Sequence, residues 1–250
     1  MLFNLSLLFT LLSGATSASL IKTNSQNPLI QTHRKDYTGT VRKAYPISPI
    51  LSTSELTQCS LNKSSIIPEV LDDFKPKCFI TAYYSKNSGK THKGAVDLGN
   101  KFKPKQTKKP PGLSIYCPDT LETPGLVAAL TDPDAKSRED PKWSEMCHWI
   151  YIIPTRFTST IHKPLEFSIL SSDDPDLDLV EYKPPGPPPK TGYHRYVFVI
   201  LEGDTTNLTA PDERQHWGTG KVRHGVRDWA QREDLQVVGA NWFIERDEKQ

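Results

Sequence analysis

Short apolar runs, each cut off from the next by Gly, Pro, Asn or Asp, constrain this chain more than any other feature. They read CFITAYY (Cys78–Tyr84), GAVDL (Gly94–Leu98), GLSIY (Gly112–Tyr116), GLVAAL (Gly125–Leu130), HWIYIIP (His148–Pro154), FSIL (Phe167–Leu170) and HRYVFVIL (His194–Leu201). Each has the length of a strand and favours aromatic or β-branched residues. The residues between them are turn formers. With 21 prolines in 250 residues, long helices have little room, because proline removes a helix donor and clashes with the preceding turn. Helical spacing is confined to VRDWAQREDL, where Val226, Trp229 and Ala230 share one side. The run VVGANWFI then returns as a strand. A mainly β chain with a helix near its C-terminus is the reading, and no internal repeat interrupts it.

The first residues, MLFNLSLLFTLLSGATSAS, are an apolar run followed by small residues. That pattern predicts a secretory signal over residues 1–18, with cleavage after Ala18. It is too short to span a bilayer comfortably, and no later segment is long and apolar enough to do so. Residues 19–60 are polar and without period, and read as an N-terminal extension ahead of a domain over residues 61–250. The expectation is a secreted monomer. Two sequons, at Asn62 and Asn207, fit that compartment. So do four cysteines, Cys59, Cys78, Cys117 and Cys147, which form no CxxC pair and allow one or two disulfides without fixing the pairing.

Lys and Arg total 31 against 29 Asp and Glu, a formal charge of +2. That balance excludes a general nucleic-acid binder, which needs a basic field. The basic stretch KFKPKQTKK (Lys101–Lys109) reads as a solvated loop.

Chemistry concentrates in two segments, TDPDAKSREDPKWSEMCHWI (Thr131–Ile150) and GPPPKTGYHRYVF (Gly186–Phe198). Strand alternation puts His194, Tyr196, Phe198 and Ile200 on one face, and Arg195, Val197 and Val199 on the other. The same period puts His148, Ile150 and Ile152 together. A nearby carboxylate favours the charged form of histidine, which donates from both nitrogens. Asp132 and Asp134 would then charge His148 and His194 to hold a phosphate or carboxylate, with Tyr196 as a further donor. Two Asp and two His are also acceptable zinc ligands, so an Asp/His metal enzyme stands as an alternative. GxSxG, P-loop and GxGxxG motifs are all missing. Cys147 alternates to the face opposite His148, and so reads as buried or disulfide-bonded rather than nucleophilic.

These two segments, in this order, resemble the phosphatidylethanolamine-binding protein family. IIPEVLDDF, VDLGNKF and the terminal VRDWAQREDL…VGANWF support the resemblance, which runs from Ile66 to Glu245. It implies a large antiparallel sheet packed on a smaller one, with peripheral helices. It also implies an anion pocket holding Asp132, Asp134, Trp143, His148, Pro187, Pro188, His194, Tyr196 and Trp242, with no cofactor. Lys136 departs from the usual proline after the Asp-Pro-Asp-Ala run. Met146 and Cys147 replace an aromatic and a histidine. The implied function is non-catalytic binding of a phospholipid head group or similar anion. Inhibition of a serine peptidase of the carboxypeptidase kind, through the surface and the N-terminal segment, is the alternative.

Overall fold

Most of those strand-length runs pair into two sheets in the computed structural model, which describes residues 53–84, 94–118, 121, 125–154, 165–170 and 177–249. The expected signal and most of the expected extension lie outside the described residues. In chain order the elements are α1 (Thr53–Lys63), β1 (Phe79–Tyr83), β2 (Asn100–Phe102), β3 (Gly112–Cys117), β4 (Leu126–Asp132), β5 (Met146–Ile153), β6 (Leu165–Leu170), β7 (Asp178–Val180), β8 (His194–Glu202), α2 (Val226–Arg232) and β9 (Gln236–Glu245). A helical turn at Ile66–Glu69 follows α1. Helix α1 therefore begins inside the segment read as an extension.

The small sheet has the order β1-β3-β6, and the large one β2-β9-β8-β4-β5-β7. All pairs are antiparallel except β2 with β9 at one edge. The large sheet is covered on both faces, which explains why its central strands read as continuous apolar runs. Its inner face presents Ala128, Leu130, Trp149, Phe198 and Ile200 to Ile80, Leu113 and Ile115 of the small sheet. Its outer face presents Val127, Ala129, Ile150, Val197 and Val199 to Ile66, Leu71, Trp217, Val226 and Trp229. Full burial of a side chain of this size stabilises by about 1.5–3 kcal/mol. The helical spacing in VRDWAQREDL exists to fill that outer layer.

Cys78 and Cys117 form a disulfide. Register brings them together, because Phe79 faces Tyr116 across β1 and β3. Both are fully buried in the inner core. Cys59 and Cys147 are free.

One expected strand fails. GAVDL makes only an isolated bridge, Ala95 to Tyr83. At that bridge Tyr84 N donates to Gly94 O and Val96 N to Ala82 O, and beyond it side chains take over. Asn100 Nδ2 donates to Ala95 O at 2.7 Å, and Asn241 Nδ2 to Val96 O at 3.1 Å. Asn241 Oδ1 accepts from Leu98 N at 2.9 Å. Two asparagine amides thus extend a pairing that the backbone makes only at one bridge. The short strands β2 and β7 carry too few residues to show a period.

Candidate functional site

Four strands end or begin together at one end of the large sheet. His194 opens β8 opposite Glu245, which closes β9. Asp132 closes β4 opposite Met146, which opens β5. Asp132, His148, His194, Tyr196 and Glu245 are all buried there.

His148 reaches this place through a bulge. Leu130 pairs with Trp149 and Thr131 with Cys147, so His148 is an extra residue without an opposite number. Its ring lies 5.3 Å from that of Tyr196 on the inner side. Ile150, expected on the same face as His148, packs in the outer core. The bulge, not simple alternation, aims the imidazole.

His194 is held at both nitrogens. Nδ1 lies 2.9 Å from Asp132 Oδ2, and Nε2 lies 3.0 Å from Thr191 Oγ1. The single hydroxyl proton of Thr191 is donated to Pro188 O at 2.7 Å. The hydroxyl oxygen can then only accept from Nε2–H, as the carboxylate can only accept from Nδ1–H. That arrangement favours hydrogen on both nitrogens, the imidazolium form. Burial opposes that charge. The Asp132 hydrogen bond, with the charges of Asp132, Asp134 and Glu139, outweighs it and holds the pKa above the usual histidine value.

His148 is the opposite case. Its Nδ1 donates to Lys183 O at 2.8 Å. Burial pushes its pKa below the usual value against the pull of Asp132, and the nearby cations Lys183 and Arg214 add to the fall. The ring is neutral, and its Nε2 is a bare acceptor with no partner among the described residues. Tyr196 lies beside both rings. Burial raises its phenol pKa well above the ordinary value, and Asp132 adds to that rise.

The two aspartates part company. Asp132 accepts from His194 and from the Asp134 amide. Asp134 is engaged by Arg195, taking its backbone N at 2.8 Å, Nε at 2.9 Å and Nη2 at 2.6 Å. It charges neither histidine by contact. Trp242 is a second correction. It faces the outer layer, donates Nε1 to Ser60 Oγ on α1 at 3.0 Å, and packs on Gly99, where a Cβ would sit 2.5 Å from the indole. Trp143 stands exposed on the β4–β5 loop, with the ammonium groups of Lys136 and Lys142 5.9 and 5.6 Å from its ring. Pro187 is buried and can form a wall. Pro188 is exposed and contributes its carbonyl.

Glu245 is the residue sequence reasoning missed. It is fully buried, accepts from Thr107 Oγ1 at 2.8 Å, and leaves Oε1 without a partner. Burial raises its pKa to about 7. Thr107 comes from the basic stretch read as a solvated loop, which is otherwise largely exposed. Cys147 faces the outer core, and burial pushes its thiol up to about 12. It is no nucleophile. Among the described residues no three His, Cys, Asp or Glu side chains converge on a metal position, which leaves the metal reading without a ligand set.

Another buried acid, Glu145, lies under this end of the sheet. It accepts from Thr131 Oγ1, Gly225 N and Val226 N. Burial still raises its pKa to about 7. A carboxyl with a raised folded-state pKa stabilises most below its unfolded value, and that contribution is lost as pH rises through about 7. The shift corresponds to about 3 kcal/mol. His194, also raised, acts in the same direction. Urea midpoints are expected to fall between pH 5 and pH 8, and Glu145→Gln should flatten that slope. An unchanged slope in the variant would rule Glu145 out as its source.

A family model described as phosphatidylethanolamine-binding protein matches residues 88–243, more than half of the chain. The chain belongs to the phosphatidylethanolamine-binding protein family. It is similar to the carboxypeptidase Y inhibitor of Saccharomyces cerevisiae. The two are 29% identical over 213 residues, spanning 74% of this chain and 92% of that protein. A crystal structure of carboxypeptidase Y inhibitor complexed with its cognate proteinase matches with a TM-score of 0.64 and 25% identity, covering 81% of this chain and all of that one. The phosphatidylethanolamine-binding protein from Plasmodium vivax shares the fold, with a TM-score of 0.54 and 21% identity over 77% of this chain and 98% of its own.

Proposed function

We propose that this member of the family is a secreted, non-catalytic binding protein whose end-of-sheet site takes a phosphate-bearing head group. The observation that carries the reading is the bare Nε2 of His148, whose ring shares the neighbour Tyr196 with the Asp132-bonded ring of His194. A phosphate oxygen placed there draws a proton onto Nε2, which turns an acceptor into a charged donor. The His194 cation favours the anion at longer range. The exposed asparagines of both sequons and the disulfide are compatible with passage through the secretory pathway.

Anion binding is therefore linked to proton uptake. Glycerophosphoethanolamine, a diester that does not itself titrate near neutrality, is the probe. Its affinity is expected to rise by up to about tenfold per pH unit lowered between pH 8 and 6. His148→Gln should remove that dependence and weaken binding. Calorimetric titration checks both, and pH-independent binding by the wild type would sink the assignment to His148.

Similarity to the carboxypeptidase Y inhibitor favours a second role, inhibition of a serine carboxypeptidase. Inhibition through the N-terminal segment should disappear in a chain starting at Thr53, while head-group binding survives. Equal inhibition by both chains would move the contact to the folded domain.

A further inference from the structure

Arg214 lies on the long connection between β8 and α2, and no motif in the sequence draws notice to it. Its Nη1 donates to Cys147 O at 3.3 Å and to His148 O at 3.4 Å, and its Nη2 donates to Glu181 O at 2.8 Å. Its own carbonyl accepts from Cys147 N at 2.7 Å. The segment after β7 closes the other side, because Lys183 N donates to His148 O at 2.7 Å and Lys183 O accepts from the imidazole. One guanidinium thus ties the bulge that presents His148 to the segment that fixes its tautomer. All these acceptors are neutral carbonyls, and among the described residues no carboxylate pairs with Arg214.

We infer that Arg214 is the positioning residue of this site, holding His148 in a single orientation and supplying a positive charge that a bound anion neutralises. This rests on the head-group reading above. The groups that face His148 are Asp132 from β4, Tyr196 from β8, Lys183 from the segment after β7, and Arg214. Asp132 and the hydrogen bond to Lys183 O favour an imidazolium before the ligand arrives. Burial disfavours it most, and the charges of Lys183 and Arg214 add to that, so the proton enters with the anion. A lysine would keep the charge but not the planar fork that reaches three carbonyls.

The test compares Arg214→Gln and Arg214→Lys with the wild type. Nitrogen-detected NMR of the His148 ring follows its titration and tautomer without ligand. Calorimetry with glycerophosphoethanolamine then follows binding at pH 6, 7 and 8. In the glutamine variant the His148 titration should move to higher pH, yet affinity at pH 7 should fall by about tenfold, because loss of the Arg214 charge and of the fixed ring orientation outweighs the easier protonation. The lysine variant should keep the titration point while losing the single Nδ1–H tautomer. Folded variants with the wild-type titration and tautomer would overturn the inference. If the wild type binds no diester phosphate and the variants still alter His148, the head-group reading falls and the positioning role stands.

Discussion

Asp134→Ala is expected to lower the stability of the fold by about 3–5 kcal/mol, because it strands a buried charge. Arg195 is 1% exposed and Asp134 0%. The aspartate receives three of the arginine's bonds, and Ser64 O and Glu69 receive the others at 2.7 Å each. Without Asp134, the guanidinium keeps only Glu69, which is one-quarter exposed, as a charged partner. Removing both charges together should do less harm than removing one, since apolar residues of similar volume can replace a buried pair. Asp134→Ala/Arg195→Met is thus expected to be more stable than Asp134→Ala in urea unfolding. A double variant no more stable than the single would show that packing, not charge, dominates here. Asp134→Asn, where it folds, should bind glycerophosphoethanolamine as the wild type does. Loss of binding in that variant would return Asp134 to the site.

Replacing Cys78 and Cys117 by alanine is expected to remove about 4 kcal/mol through the freed loop entropy of the unfolded chain. The two residues are 39 apart in sequence. For a domain of this size, thermal unfolding followed by circular dichroism should move down by roughly 10 °C. Both half-cystines are 0% exposed. A reductant added to the native protein should therefore leave the transition unchanged until the chain opens. A double alanine variant that melts with the wild type would mean that the bridge contributes nothing to stability.

The face of β8 was legible because nine residues run without interruption where His194 and Tyr196 sit. The site beyond β8 was harder to read, and each failure has a local cause. Asp132 and Asp134, two apart, would share a face only if the strand continued, but β4 ends at Asp132 and the turn carries Asp134 to Arg195. Trp242 and Glu245 are separated by an odd step on β9, so they point to opposite layers. Alternation from Asn241 through Phe243 was the signal that could have found Glu245. Arg214 had no signal at all, since it acts through carbonyls that any sequence possesses.

The extra residue at His148 divides β5 into two stretches with different phase. Beyond it, Trp149, Tyr151 and Ile153 keep step with the inner core, whatever register the strand's opening takes. A residue gained or lost at Met146 or Cys147 would re-aim the imidazole without turning those core side chains outward. Binding preference and core packing can thus diverge on separate evolutionary schedules, with the bulge as the joint between them.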